Sequence, residues 1–427
     1  MTRVVSVTPI ELERDSRTLK QAASLARLGY ESVVVEEGES VALPRELPFR
    51  LIGTAPSGDD QPAAVPTPAA APVAGGRLRG RLGSAFGAAR AKLTPTSGRL
   101  KASRRFLADY REFNRRTLAA LPDAELYWLH SYWQFPAVRR KCRRNGARFV
   151  YDAHDSYRDI PAIDLPLVPS LLALIERRCV ARAAARTTVS AGVARRLRGR
   201  YGREFTVIRN FPDLRLDRPA TTTIRDALNL GDEDFLVVMV GQWKFGLALE
   251  EAIAALGELE ASVHLAFVGP GFEREGSSLA AGRSRVHFVA PVDPTRISGF
   301  IGSADAAALL YMPLTENMVN ALPNGFFHAV AAGLPLLYPP LAEVRELAER
   351  HRLGLEIDPA EPSSIAEGIR ALLTDRPRLR TIAEDVARAR VELSWEREEP
   401  VLVELVRRAL AGGGGWPGPV RGGAPAR

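Results

Sequence analysis

The 427-residue chain is 46% apolar and 25% charged, a globular composition that excludes wholesale disorder and collagen-like structure. Its net charge of +8 is uneven: Gln61 to Arg105 holds nine basic residues, among them Arg77, Arg79, Arg81, Arg90 and Lys92, and no acid, so a basic body for nucleic acid is excluded and a basic appendage is not. The two cysteines, Cys142 and Cys179, lie far apart with no Cys or His at ligand spacing, which excludes a disulfide scaffold, a zinc ribbon and CxxC redox chemistry.

In chain order, Val4–Thr8 reads as a first strand, after which Asp15 or Ser16 caps a helix burying Leu19, Ala22, Ala23 and Ala26. Ser32–Val35 is the next strand. Residues 54–105 are too small, polar and Gly/Pro-rich to help a core and read as a flexible basic insertion. Arg104–Leu121 has helical period, with Phe106, Tyr110 and Phe113 on one stripe. Strands follow at Leu126–Leu129 and Arg148–Tyr151, a long helix at Leu167–Ala184, and short strands at Thr187–Ser190 and Phe205–Ile208. Asn210, Phe211 and Pro212 break the pattern and open a linker that runs to Thr223.

A second series begins with Phe235–Val240 and continues through Val263–Val268, Val286–Val289, Ala306–Tyr311 and Leu334–Tyr338, with helices between. Such alternation builds parallel sheets. The expectation is an α/β protein of two Rossmann-like doubly wound domains, 1–210 and 211–394, facing a cleft at the carboxyl ends of both sheets. A C-terminal helix over 395–411, with a crossing back to the N-terminal domain as one option, precedes a disordered tail, 412–427. Every apolar run stops short of the ~20 residues a spanning helix needs, and the start lacks a signal-peptide layout, so a soluble cytoplasmic protein is expected.

The loops narrow the ligand. GxxxxGK[ST] is missing, and the first loop, TPIELERDSRT, has no glycine, which counts against kinases and dehydrogenases. Two later loops can hold a diphosphate. Gly241-Gln-Trp-Lys244-Phe-Gly246 joins a buried strand to a helix N-terminus, where outward amides favour an anion, and Lys244 is one of only five lysines against 53 arginines. In the second, running from Asn317 through Asn324, Gly325 and His328 to Gly333, Asn324 can cap a helix and Gly325 lets a ligand approach the amides.

The pieces Asp15-Ser-Arg-Thr-Leu-Lys-Gln-Ala, Val150-Tyr-Asp152-Ala-His154-Asp155, Thr188-Val-Ser190-Ala-Gly, Ile208-Arg-Asn210-Phe-Pro, Asn317 to Asn324 and Ala331-Ala-Gly-Leu-Pro335 stand in an order that resembles GT-B glycosyltransferases of the group 1 or family 4-like kind, bacterial and usually retaining. The resemblance implies a nucleotide sugar on the C-terminal domain and an acceptor on the N-terminal one. It places Arg209 and Asn210 beside the donor, Lys244 near its diphosphate, Val292 near its base, and the Asn324–His328 turn near phosphate and ribose. Three positions depart from the family: His328 where a Glu is usual, Gly325 where a Lys is frequent, and His130-Ser-Tyr132 where a His-x-His pair is common.

On the acceptor side, His130, His154 and Asp155 stand at strand ends and are candidates for acid–base work, with a hydrogen-bonded link from His154 to Asp152 or Asp155 as the plainer reading. Tyr132 and Trp133 can stack on a sugar or polyprenyl chain or fill the core. Arg14, Asp15 and Arg17 either hold a polar acceptor or cap the first helix. The expected partners are a nucleoside-diphosphate sugar, linked to UDP, GDP or TDP, and a sugar, natural-product, polysaccharide or lipid-linked acceptor. No DxD-like pair stands in a suitable loop, so neither a cofactor nor a metal is expected. The basic stretch 61–105 reads equally as a peripheral membrane contact and as a solubilising linker. Rival readings of the whole are an impaired GT-B relative acting as scaffold or partner, and a sugar-nucleotide epimerase.

Overall fold

A computed structural model describes residues 1–40, 43, 46–54, 97–159, 163, 165–244 and 246–412. Most of the basic stretch 61–105 and the tail 413–427 lie outside the described residues. A first sheet comprises β1 (Arg3–Thr8), β2 (Glu31–Glu36), β3 (Arg50–Gly53), β4 (Leu126–Leu129), β5 (Arg148–Ala153), β6 (Ala185–Thr188) and β7 (Thr206–Val207), in the order β3-β2-β1-β4-β5-β6-β7. A second comprises β8 (Phe235–Val240), β9 (Val263–Val268), β10 (Val286–Val289), β11 (Ala306–Ala308), β12 (Leu336–Tyr338) and β13 (Gly354–Glu356), in the order β10-β9-β8-β11-β12-β13. The described strand pairings are parallel. The chain divides into two compact units, Met1–Arg186 and Thr187–Arg427, at a point inside β6.

The strands that sequence patterning finds most easily are those whose side chains are buried on both faces. All six residues of β8, Phe-Leu-Val-Val-Met-Val, are buried, as a central parallel strand covered by helices requires. β3 and β13 lie at sheet edges, with partly exposed residues and no alternation, and patterning misses both. The helix Ser97–Ala120 begins seven residues before the expected start at Arg104, inside the stretch read as insertion. Arg99, Leu100, Lys101 and Ala102 are good helix formers that extend it away from the Phe106, Tyr110 and Phe113 stripe, whose side chains are buried. The C-terminal helix spans Trp395–Ala411, as read.

Both sheets reverse their direction of strand addition once. In the first, the chain moves outward from β1 to β2 and β3, then returns to place β4 on the other side of β1; in the second, β8 and β11 are the corresponding neighbours. At such a switch point the loops leaving two adjacent strands diverge and open a crevice at their carboxyl ends. Among the described residues, no helix is long and apolar enough to cross a membrane.

Candidate active site

In the first unit the carboxyl ends of β1, β4 and β5 bring together Thr8, His130, Asp152 and His154. The first turn of the helix Ser16–Arg27 closes the group. Asp15 caps that helix: its Oδ1 accepts from the Thr18 amide at 3.0 Å, and its Oδ2 accepts from the Thr18 and Thr8 hydroxyls at 2.6 and 2.8 Å. Arg17 turns inward, donating from Nε and Nη2 to the two oxygens of Asp152 at 2.9 Å each. Gln21 and Trp128 also donate to Asp152 Oδ2, at 3.3 and 3.4 Å.

The two imidazoles complete the cluster. His130 Nδ1 lies 3.4 Å from Asp152 Oδ2, His154 Nε2 lies 3.7 Å from the same oxygen, and the two ring nitrogens are 3.3 Å apart. His130 is fully enclosed and its Nε2 has no hydrogen-bond partner among the described residues, whereas the His154 side chain is 24% exposed. A proton on Nδ1 of His130 satisfies Asp152 and leaves only a bare lone pair at Nε2, a smaller loss than a buried, unmet N–H.

Charge follows this geometry. Burial works against ionisation of Asp152, but Arg17 and the two imidazoles outweigh it and hold the carboxyl well below its ordinary value. Burial lowers the His130 value more than Asp152 raises it, so that ring is neutral. Burial also opposes the charge on His154, yet Asp152 and Asp15 prevail and its value is raised. The cluster therefore keeps its proton on the histidine that reaches solvent. The ligand atoms of His130, Asp152 and His154 lie within 4.8 Å of one another, close enough for one cation. Arg17 already neutralises Asp152 through both oxygens, so the donor set suits proton sharing better than a divalent ion.

In the second unit the corresponding crevice lies at β8 and β11. Gly241 follows β8, and Lys244, exposed, sets its ammonium 4.9 Å from the Tyr311 ring centroid just past β11. The helix Asn324–Ala332 packs so closely on β8 that a Cβ at Gly325 would lie 2.7 Å from the Val240 carbonyl oxygen. The two loops read as anion sites thus meet at one end of β8. Pro323, not Asn324, is the N-cap of this helix, and no side chain caps it. The Asn324 side chain instead accepts from Asn210 Nδ2 at 2.9 Å and does not cap the helix; of the first amides, that of Phe326 donates to the Pro323 carbonyl at 3.0 Å.

The remaining residues fall as follows. Arg209 is tied through its amide and guanidinium to Glu398, at 3.0 and 3.2 Å. His328 is half-buried one turn into its helix, Asn317 sits half-buried in the short helix Glu316–Val319, and Val292 packs on the edge of the core. Arg14 is exposed beside Glu11, while Asp155 is half-buried; burial, and then the Asp155 charge, raise the Tyr157 hydroxyl. Tyr132 and Trp133 are 5% and 2% exposed and stack on each other, so their area goes to the core. Asp152, the centre of the cluster, escaped sequence reading as a site residue. The available signal was its spacing: residues 152 and 154 share one face of an extended strand end. Glu343 was also missed. Buried, it accepts from the amides of Ala191 and Gly192 at 3.2 and 2.5 Å, taking the place of an anion at the start of the helix Ala191–Tyr201.

Two parallel sheets with flanking helices, each carrying polar chemistry at its own switch point, define a protein with two Rossmann-like domains. The Glycosyl transferase 4-like domain model matches residues 15–212 and the Glycosyl transferases group 1 model matches residues 234–375, most of the chain between them. The chain belongs to the GT-B glycosyltransferases and is an enzyme of sugar transfer. Among solved structures it is similar to a sucrose-phosphate synthase from Thermosynechococcus elongatus, with 15% identity, a TM-score of 0.63, and coverage of 96% of this chain and 100% of that one. It is also similar to Anabaena Alr3699/HepE, determined with UDP and glucose, at 14% identity and a TM-score of 0.63 over 95% and 100% of the two chains. A glycosyltransferase from Rickettsia africae matches at 12% identity and a TM-score of 0.62 over 96% and 99%. No curated protein sequence matches the chain.

Proposed function

We propose that the enzyme transfers a sugar from a nucleoside-diphosphate donor, with the diphosphate seated between Lys244 and the first amides of the helix Asn324–Ala332. The observation that carries this reading is the convergence of both loops on the carboxyl end of β8, where Val240 touches Gly325 and Gly241 opens the Lys244 loop. As the sugar leaves, negative charge grows on the departing phosphate, and fixed positive charge and N–H donors lower that barrier without a metal ion. The UDP bound by Anabaena Alr3699/HepE supports a uridine donor. His328 offers the ribose a single hydrogen bond where a carboxylate would offer two. On the acceptor side, His154 holds the exchangeable proton of the cluster, its Nε2 turned toward Asp152 and His130, while Arg17, Asp152 and the neutral His130 set its charge; Asp155 and Arg14 lie close by in sequence. The acceptor is a sugar, a small natural product or a lipid-linked glycan, and retention at the anomeric carbon follows the family resemblance.

Calorimetry with UDP, GDP and TDP tests the donor half. One of the three binds the native enzyme, and Lys244→Ala weakens that binding by about tenfold or more, the worth of a charge-assisted hydrogen bond, without altering the fold. Equal affinity in the variant would remove Lys244 from the site. Product analysis with and without added acceptor then separates transfer from epimerisation, which converts the donor alone.

A further inference from the structure

At the opposite end of the first sheet, the same unit contains a second feature. A cavity of about 390 Å³ is lined by Arg139, Cys142, Arg143, Arg148, Phe149 and Arg182, among others. Arg139 and Arg143 are one turn apart on the helix Phe135–Asn145, Arg182 ends the helix Val168–Arg182, and Arg148 opens β5, whose far end carries Asp152. Among the described residues, no acid lines the cavity. The two segments that build it, 137–151 and 177–186, contain ten basic residues and no Asp or Glu. Among the described residues, Arg139, Arg143 and Arg182 have no carboxylate partner. Burial, then the charges of Arg182, Arg143 and Arg178, make Arg139 a weaker base than a free guanidinium.

Guanidinium groups gathered without a counter-charge repel one another, and an anion that accepts from several of them removes that cost. The planar fork of each matches the paired oxygens of a phosphate. The volume exceeds the ~30 Å³ of a single water by an order of magnitude, room for a diphosphate or for a phosphodiester headgroup, while Phe149 and Cys142 supply an apolar wall for an attached carbon chain. We propose that this cavity is a second anion site, separate from the donor crevice, that binds a phosphate-bearing molecule through Arg139, Arg143 and Arg182. Its source is either a soluble diphosphate or an anionic lipid headgroup.

Cys142 is a built-in reporter. It lines the cavity, burial pushes its thiol up to about 12, and its alkylation is therefore slow enough to time; Cys179, wholly buried, is an internal blank. Full-length enzyme is alkylated with and without inorganic pyrophosphate, with phosphatidylglycerol vesicles, and with phosphatidylcholine vesicles, and the rate at Cys142 is read by peptide mass spectrometry. Pyrophosphate slows the reaction several-fold in a saturable way if the ligand is soluble; phosphatidylglycerol alone slows it if the ligand is a headgroup. In the surface variant Arg143→Gln/Arg182→Gln, half-protection requires about tenfold or more additional ligand. No protection by either probe, protection that sodium chloride reproduces at equal ionic strength, or protection undiminished in the variant overturns the proposal. Donor binding measured in the same variant stays at the native level, which separates this site from the one holding Lys244.

Discussion

Replacing Arg17 with Met isolates the contribution of its pair with Asp152. The two residues are 3% and 0% exposed and are joined by two hydrogen bonds of 2.9 Å, so the substitution keeps most of the side-chain volume and removes the counter-charge. Stranding one partner of a buried pair costs about 3–5 kcal/mol. Gln21 and Trp128 still donate to Asp152, and His154 still offers positive charge, so the expected loss lies near the lower figure, about 3 kcal/mol. With a urea slope of about 2 kcal/mol per molar, the unfolding midpoint falls by about 1.5 M. The pH dependence has a definite sign. In the native protein the Asp152 carboxyl is held well below its ordinary value, so its stabilisation is present above the unfolded value and is lost only as pH falls through the lower, folded one. Without Arg17, burial raises the folded value instead, and protonation relieves the stranded charge. The deficit of the variant therefore narrows between about pH 7 and about pH 4. Adding Asp152→Asn to Arg17→Met recovers much of the loss at neutral pH. Circular dichroism in urea at both pH values reads all of this. A single variant costing under about 1 kcal/mol, the range of an exposed pair, would refute the reasoning. So would a double variant no more stable than the single one.

Gly325→Ala is expected to destabilise the second unit by about 1–3 kcal/mol, because the added methyl meets the Val240 carbonyl and cannot rotate away; calorimetric melting should register a fall of about 2–4 °C per kcal/mol, and an unchanged melting temperature would show that the helix shifts freely. His154→Gln is expected to lower turnover by about 10²–10⁴ if the ring moves a proton in the reaction. The same variant has a stability signature: the raised value of His154 gives the native protein an advantage that is full below the ordinary histidine value of about 6.5 and fades as pH rises through the folded one. Parallel stability curves for the two proteins would mean that the ring carries no linked proton.

The sheets were legible because parallel strands buried on both faces print themselves as apolar runs, β8 most clearly. The polar network was only half legible. His130 and His154 drew notice as rare residues at strand ends, but Asp152 gains its importance from Arg17, 135 positions earlier in the chain, and no local pattern records that pairing. Asp15 was readable as a cap because capping is a local hydrogen bond, made here to Thr18. Asn324 was misjudged as a cap because Asn210, far away in sequence, claims its side chain. The glycine at 325 looked like a lost lysine; its reason is the carbonyl of Val240, a packing fact invisible to composition.

The helix Ser16–Arg27 has a consequence for how the enzyme meets its substrate. Its first turn both ends in a cap and supplies the guanidinium that fixes Asp152, so the charge state of His154 is set by rigid secondary structure and not by a loop. If His154 has the role proposed above, a hydroxyl arriving at that imidazole finds the dipoles around it already oriented, and little energy goes into rearranging them during reaction. On that proposal the neighbouring loops can vary while this turn is left alone, which makes the first helix a fixed bench on which the rest of the pocket can be rebuilt.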